Sequence, residues 1–257
     1  MPNLKLLSWN VNGVRAAQKK GILDWLYKEK PDILCIQETK AQVNQLDKEL
    51  INPDGYKTFW SSAEKKGYSG VSTFTKTNPI KTEHGFGIKK FDSEGRILIH
   101  DFDDFILFNI YFPNGQMSNE RLKYKLEFYD EFLKYINKLK DKGKKLIICG
   151  DVNTAHREID LARPKENENT SGFLKIERDW VDKLIDSGYI DTFRHFVKEG
   201  GYYTYWDPIS RARERNVGWR IDYFFISPNL LKNLESAFIM SEIMGSDHCP
   251  IGIGLKL

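Results

Sequence analysis

The stretch that most limits how this chain can fold is Lys145-Leu-Ile-Ile-Cys-Gly150-Asp151-Val152-Asn153-Thr154, an apolar run that stops abruptly on Gly-Asp-x-Asn. A short apolar run bounded by turn residues reads as a buried strand. Gly150 lets the backbone bend at its end, and Asp151 and Asn153 then stand side by side at the exit. Open α/β sheets bind ligands at the carboxyl ends of their strands, which makes this corner a candidate site. Asp and Asn are also ordinary turn residues, so one such corner carries little weight alone. Its weight comes from other apolar runs that end in the same manner.

Leu4 to Val11 is a first strand, which reaches Asn10 just before the turn Asn12-Gly13. Ile22, Trp25 and Leu26 follow at helical spacing, and Pro31 closes that helix. Asp32 to Glu38 is a second apolar run, ending on Glu38. Strand-like segments over 57–61, 70–75, 96–101 and 105–112 are punctuated by Gly and Asp, as in an antiparallel meander. Ser118 suits a helix N-cap, Leu122, Leu126, Tyr129, Leu133 and Ile136 form a helical stripe, and Gly143 is a stop signal. Residues 156–175 read as a long polar loop of the kind that is usually functional. A helix around 177–186 and strands over 221–227 and 235–241 come next, with a final strand after Gly245-Ser246-Asp247-His248-Cys249-Pro250. No linker, low-complexity stretch or charge block divides the 257 residues, so one domain spanning 1–257 is expected. Buried runs joined here by helices and there by hairpins predict mixed sheets covered by helices, an α/β sandwich.

The net charge is +3, from 39 Lys and Arg against 36 Asp and Glu, so a nucleic-acid partner has to be argued from local clusters. Cys35, Cys149 and Cys249 lie in or beside apolar runs. So sparse and odd a set argues against a disulfide framework and for a reducing, intracellular setting, cytoplasmic or nucleoid-associated. Met1-Pro-Asn-Leu-Lys5 lacks a signal-peptide layout, and no apolar run approaches the length of a bilayer span.

The polar residues at run ends are Asn10, Glu38, Tyr111, Asn114, Asp151, Asn153, Asp222, Asp247 and His248. No serine elbow, phosphate-cradling glycine loop or Cys/His zinc spacing accompanies them. Hard oxygen donors of this kind suit Mg²⁺, or Mn²⁺ as a substitute. With amides and an imidazole they make a set fit for phosphoryl chemistry, in which a metal and hydrogen-bond donors offset phosphate charge while a free carboxylate activates water. Each has an ordinary alternative. Glu38 could be a helix-starting acid, Asp222 a strand residue paired with Arg220, and His248 a satisfied buried histidine. The case rests on their occurring together at strand boundaries.

Eight blocks carry a resemblance. They are Trp9-Asn-Val-Asn-Gly-Val-Arg15, Ile36-Gln-Glu-Thr-Lys40, Gly67-Tyr-Ser-Gly-Val71, Glu94-Gly-Arg96, Tyr111-Phe-Pro-Asn114, Gly150-Asp-Val-Asn153, Asn216 to Tyr223, and Gly245 to Pro250. In that order, and spanning nearly the whole chain, they resemble the exonuclease III family of abasic-site DNA endonucleases. The resemblance implies a four-layer α/β sandwich of two packed mixed β-sheets flanked by helices, the DNase I-like fold, with the site at one edge. It implies Mg²⁺-dependent hydrolysis of the phosphodiester 5′ to an abasic site in duplex DNA, leaving a 3′-hydroxyl and a 5′-deoxyribose phosphate. A 3′–5′ exonuclease or end-cleaning activity is a further expectation.

Carried over by resemblance, Glu38 is the principal metal ligand, with Asn10, Asp151, Asn153 and Asp247 completing the metal set. Asp151 activates or orients the attacking water, while Asn10 and Asn153 hold the phosphate, the water or the metal's hydration shell. Tyr111 and Asn114 contact phosphate, His248 bonds the scissile phosphate, and Asp222 orients His248. An Asp beside a His favours the protonated imidazole, which leaves Asp151 as the expected base. Tyr205, Trp219 and Ile221 match the slot that receives a flipped abasic sugar, with Tyr205 standing where a phenylalanine is often found. Met117 and Ile209 match apolar wedges into the minor groove. Among loop cations, Arg15 and Arg96 are expected to contact DNA beside Tyr68 and Asn114, whereas Lys19 and Lys65 read as solvated surface.

The implied partner is duplex DNA carrying abasic or damaged sites, met by a monomer with no membrane partner. The alternative on the same fold is a less selective DNase or a phosphatase of small phosphate esters. Trp219 and the loops bearing Tyr68 and Asn114 favour DNA. A DNA-binding protein without catalysis conflicts with the presence of Glu38, Asp151 and His248.

Overall fold

The computed structural model describes residues 3–257. Strands β1 (Asn3–Asn10), β2 (Ile33–Gln37), β3 (Lys57–Ser61), β4 (Val71–Thr75), β5 (Lys81–Glu83) and β6 (Ile97–Asp101) occupy the first part of the chain. They are followed by β7 (Ile106–Tyr111), β8 (Leu146–Asp151), β9 (Ile190–Asp191), β10 (Asp222–Ile226), β11 (Leu234–Ile239) and β12 (Ile251–Lys256). The helices are α1 (Val14–Lys19), α2 (Ile22–Glu29), α3 (Lys48–Ile51), α4 (Lys89–Asp92), α5 (Asn119–Lys140), α6 (Pro164–Asn167), α7 (Lys175–Asp186) and α8 (Thr192–Phe196).

The strands form two six-stranded sheets, in the orders β11-β12-β1-β2-β4-β3 and β5-β6-β7-β8-β10-β9. Both are mixed: β1 and β2 run parallel, as do β7 and β8, and the remaining pairs are antiparallel. The alternation of side chains along each strand decides the layers. On one face, Leu6, Ile33, Cys35, Leu107, Ile147, Cys149 and Phe224 meet between the sheets. On the other face of the first sheet, Leu7, Trp9 and Leu34 pack with Val14, Trp25 and Leu26 of α1 and α2. Phe108, Ile148 and Phe225 of the second sheet pack with Phe128, Phe132, Trp180 and Leu184 of α5 and α7. Helix, sheet, sheet and helix thus make the four-layer sandwich expected from sequence. A polar seam crosses the interior, where Gln37 Nε2 donates to Ser8 Oγ at 3.0 Å and to Asn109 Oδ1 at 2.8 Å.

Several local expectations change. The segments read as one meander divide between the sheets, β3 and β4 joining the first and β5, β6 and β7 the second. Ser118 caps α5 by accepting from the Arg121 amide at 3.3 Å, but the buried stripe is Lys125, Phe128, Tyr129, Phe132 and Ile136. Leu126 and Leu133 are only partly buried. Gly150 does not make the bend at the end of β8: it pairs with Ile110 and Tyr223 inside the sheet. Its requirement is close approach, because at φ 137° a Cβ would lie 1.8 Å from the Ile110 carbonyl oxygen. The turn falls three residues later, at Asn153 with φ 55°.

Candidate active site

Strand register assembles the first part of the site. Tyr111 pairs with Asp151 across β7 and β8, and Asp151 pairs with Asp222 across β8 and β10, so the three form one row at the edge of the second sheet. In the first sheet Asn10 pairs with Gln37, which places Glu38 one residue beyond the end of β2. The chain then leaves the sheets through left-handed corners at Asn12 (φ 48°), Glu38 (φ 58°), Lys40 (φ 50°) and Asn153 (φ 55°). Non-glycine residues seldom adopt this conformation, at a cost of about 1 kcal/mol or more each, and such strain collects at functional sites.

Asp151 is buried. Its Oδ2 accepts from Asn10 Nδ2 at 2.9 Å and from Asn153 Nδ2 at 3.2 Å, and its Oδ1 accepts from the Asn153 amide at 2.8 Å. Burial and the neighbouring Asp222 charge outweigh these donors and push the Asp151 carboxyl up to about 7. His248 Nδ1 lies 2.8 Å from Asp222 Oδ2, and His248 Nε2 lies 4.0 Å from Asp151 Oδ2. Burial alone would lower the His248 imidazole, but the charge and hydrogen bond of Asp222 prevail and raise it to about 10. The ring is therefore an imidazolium at neutral pH, with Nε2–H directed away from Asp222. Burial, followed by Glu38, raises the Tyr111 phenol well above its ordinary value, so it remains a donor.

These groups open on a cleft of about 240 Å³ whose walls include Glu38, Tyr111, Asn114, Asp151, Asn153, Tyr205, Trp219, Ile221, Asp247 and His248. Asn10 and Asp222 stand behind that wall, bonded to Asp151 and His248. Glu38 Oε1 pairs with Lys40 Nζ at 2.8 Å, and Asn12 Nδ2 donates to Asp247 Oδ2 at 3.0 Å. The Tyr205 ring centre lies 4.9 Å from that of His248, and Trp219 meets Phe173 edge-on at 6.5 Å. Sequence reasoning missed Asn12, Lys40, Gln116, Ser171 and Gly172, which also line the cleft. Lys40 and Asn12 belong to the motifs that carry the resemblance, whereas for Ser171 and Gly172 the sequence offers only the polarity of the long loop.

The residues expected to touch DNA fall into two groups. Met117 and Ile209 are 85% and 92% exposed, unusual for large apolar side chains on a surface. Arg15 is exposed on α1, in a groove that shares Lys40 with the cleft. Tyr68 is half-buried and Asn114 Nδ2 donates to Asn153 Oδ1 at 3.0 Å. Arg96 is different. It is 2% exposed, and its guanidinium donates to Glu94 Oε2 at 2.6 Å, the Tyr111 carbonyl at 3.0 Å and Tyr68 Oη at 2.8 Å. Three of its donors are thus held by Glu94, Tyr111 and Tyr68, and the guanidinium lies against the Tyr111 and Tyr68 rings.

The donor set fits a metal. Carboxylate oxygens of the buried Asp151 and Asp222 lie within 4.8 Å of one another, and one oxygen of Asp222, Oδ1, has no partner. Glu38 and Asp247 add carboxylates to the same cleft. Among the described residues, no helix is long and apolar enough to cross a membrane.

Two packed mixed sheets with a carboxylate–imidazole cleft at one edge define a phosphoesterase of the DNase I-like class. The chain belongs to the Endonuclease/Exonuclease/phosphatase family, whose model matches residues 7–248, and within it to the exonuclease III-type AP endonucleases. It is 42% identical over 256 residues to an exodeoxyribonuclease of Bacillus subtilis, covering 99% of this chain and 100% of the relative. It is 43% identical over 258 residues to the DNA repair nuclease APEX1 of Danio rerio, covering 99% of this chain and 83% of the relative. The structure of an AP endonuclease from Archaeoglobus fulgidus matches with a TM-score of 0.90 at 27% identity, covering 99% of this chain and 100% of that one.

Proposed function

We propose that this chain is a metal-dependent DNA repair nuclease that hydrolyses the phosphodiester 5′ to an abasic site in duplex DNA. The observation that carries the reading is the opposed pair in the cleft. Asp151 is a buried carboxyl poised near 7, and His248 is an imidazolium held by Asp222, with Nε2 4.0 Å from Asp151. A base near neutrality and a fixed cationic donor are what water attack on a phosphodiester needs. The full-length relatives named above supply the substrate class.

The scissile phosphate sits between His248 and the Tyr111–Asn114 side of the cleft. His248 Nε2–H and the Tyr111 hydroxyl donate to its non-bridging oxygens. Asp151 takes a proton from water as the water oxygen bonds to phosphorus, and Asn10 and Asn153 hold the carboxylate in place. The P–O3′ bond breaks, and the departing oxygen takes a proton from solvent, leaving a 3′-hydroxyl and a 5′-deoxyribose phosphate. Mg²⁺, or Mn²⁺ in its place, held by Glu38 with Asp151, Asn10, Asn153 and Asp247 nearby, would offset charge on the phosphoryl and leaving oxygens. Tyr205, Trp219 and Ile221 receive the base-free sugar, and Met117 and Ile209 enter the minor groove while Arg15, Tyr68 and Asn114 hold backbone. One domain acting as a monomer suffices for this scheme.

The test uses three substrates: a duplex with one abasic site, the undamaged duplex, and a small phosphomonoester, each with Mg²⁺ and with chelator. Strong preference for the abasic duplex, lost on chelation, is expected. Equal cutting of both duplexes would leave the less selective DNase, and cleavage of the monoester alone would leave the phosphatase.

A further inference from the structure

A lysine in the middle of an apolar helix face is costly unless fully paired. Lys125 sits there on α5, between the buried Phe128 and Tyr129 one turn away and the β8 exit, and it is fully buried. All three Nζ protons are used. They go to the Asn153 carbonyl at 2.7 Å, Thr154 Oγ1 at 2.9 Å and Glu177 Oε1 at 2.5 Å. Glu177, at the start of α7, is equally buried and also full. Its Oε1 accepts from Ser171 Oγ at 2.8 Å, and its Oε2 accepts from the amides of Gly172 at 2.5 Å and Leu174 at 3.1 Å.

This one ion pair therefore ties together two adjoining segments of the cleft lining, which also meet directly where the Ala155 amide donates to the Gly172 carbonyl at 2.8 Å. On one side is Asn153, whose left-handed backbone turns its carbonyl inward to Lys125 and whose side chain holds Asp151. On the other is the 171–174 turn, pressed against the sugar slot. A Cβ on Gly172 would lie 3.3 Å from the Trp219 ring, and Phe173 packs edge-on against the same ring. Exchange of a buried ion pair for apolar side chains of similar volume is often neutral or stabilising. It would leave the Asn153 carbonyl and the Gly172 amide unguided.

We infer that Lys125 and Glu177 are positioning residues that set the spacing between the phosphate-handling corner at Asn153 and the Gly172–Trp219 wall of the sugar slot. Turnover and the preference for an abasic site both depend on the pair, although neither residue touches DNA. The inference rests on the abasic-slot reading proposed above.

The experiment is Lys125→Met/Glu177→Gln, which removes both charges, keeps side-chain length, and leaves an acceptor for the 172–174 amides. kcat, KM and melting temperature are measured with the abasic and undamaged duplexes, beside the parent enzyme. The expected variant is folded, with kcat on the abasic duplex down by about ten-fold or more, KM little changed, and a smaller abasic-to-undamaged ratio. A folded variant with the parent's kcat and ratio overturns the inference and shows the pair to be a structural anchor only. If the double variant does not fold, Ser171→Ala removes one link from Glu177 to the slot wall and leaves the ion pair intact. A reduced ratio at unchanged melting temperature supports the inference, and an unchanged ratio overturns it. A parent that itself cuts both duplexes equally would instead remove the slot reading on which the inference stands.

Discussion

Asp151 and Asp222 are register partners across β8 and β10, so an antiparallel ladder brings two buried carboxylates to the same face of one sheet. Like charges placed opposite each other repel. His248 relieves this by bonding Asp222 at 2.8 Å and lying 4.0 Å from Asp151. The residual repulsion, on top of burial, is what leaves Asp151 able to take up a proton near neutrality.

Asp151→Asn keeps the shape and removes the base. Its turnover on an abasic duplex should fall by orders of magnitude, while binding to the same duplex, followed by fluorescence anisotropy, stays within a few-fold. Near-normal cleavage would take water activation away from Asp151.

Asp222→Asn removes the charge that holds His248 protonated. Burial then acts unopposed by its nearest carboxylate, so the imidazole midpoint should drop from about 10. Titration of the metal-free protein followed by NMR of the imidazole nitrogens measures it. An unmoved midpoint would mean that Asp222 does not control His248.

Gly150→Ala places a methyl 1.8 Å from the Ile110 carbonyl oxygen at φ 137°, in the middle of the second sheet. The strands must part to admit it. A loss of about 3 kcal/mol or more is expected in denaturant unfolding, enough to unfold a marginal domain. A variant as stable as the parent would mean that β7 and β8 separate at no cost.

His100 lies on β6 with its ring 5.1 Å from that of Phe59 on β3, and burial, then His84, lowers its imidazole to about 3. Folded, it stays neutral; unfolded, it takes a proton near its ordinary value of 6.5. Stability is therefore unaffected above that value and is lost progressively as pH falls from about 6.5 toward 3. His100→Gln should flatten this part of the stability–pH curve. An unchanged slope would assign the acid sensitivity to other groups.

Much of the site was legible because a strand buried along its length announces its exit by the first polar residues. Asn10, Glu38, Tyr111, Asp151 and Asp222 all stand at or next to strand ends. Pairing partners are not local, so the assignment of β3 and β4 to one sheet and β5 to β7 to the other could not be read from the hairpin-like spacing. The burial of Arg96 was not legible, because an arginine beside a motif looks the same in sequence whether it meets solvent or lies against Tyr111. Lys125 went unnoticed for the converse reason, since a lysine within a helical stripe ordinarily marks the solvated face. Ser171 and Gly172 reach the cleft through Glu177, a tie between residues with no spacing signal of their own.

The row Tyr111–Asp151–Asp222 lies on interior strands of its sheet, each flanked on both sides by another strand. Opening those strands requires breaking the sheet itself, so their amides should be among the slowest in the molecule to exchange with solvent. Many active sites are carried on loops that fray before the rest of the molecule melts. In this enzyme the base Asp151 and its row partners share one cooperative unit with the fold, and on heating that row should survive until the sheet itself gives way.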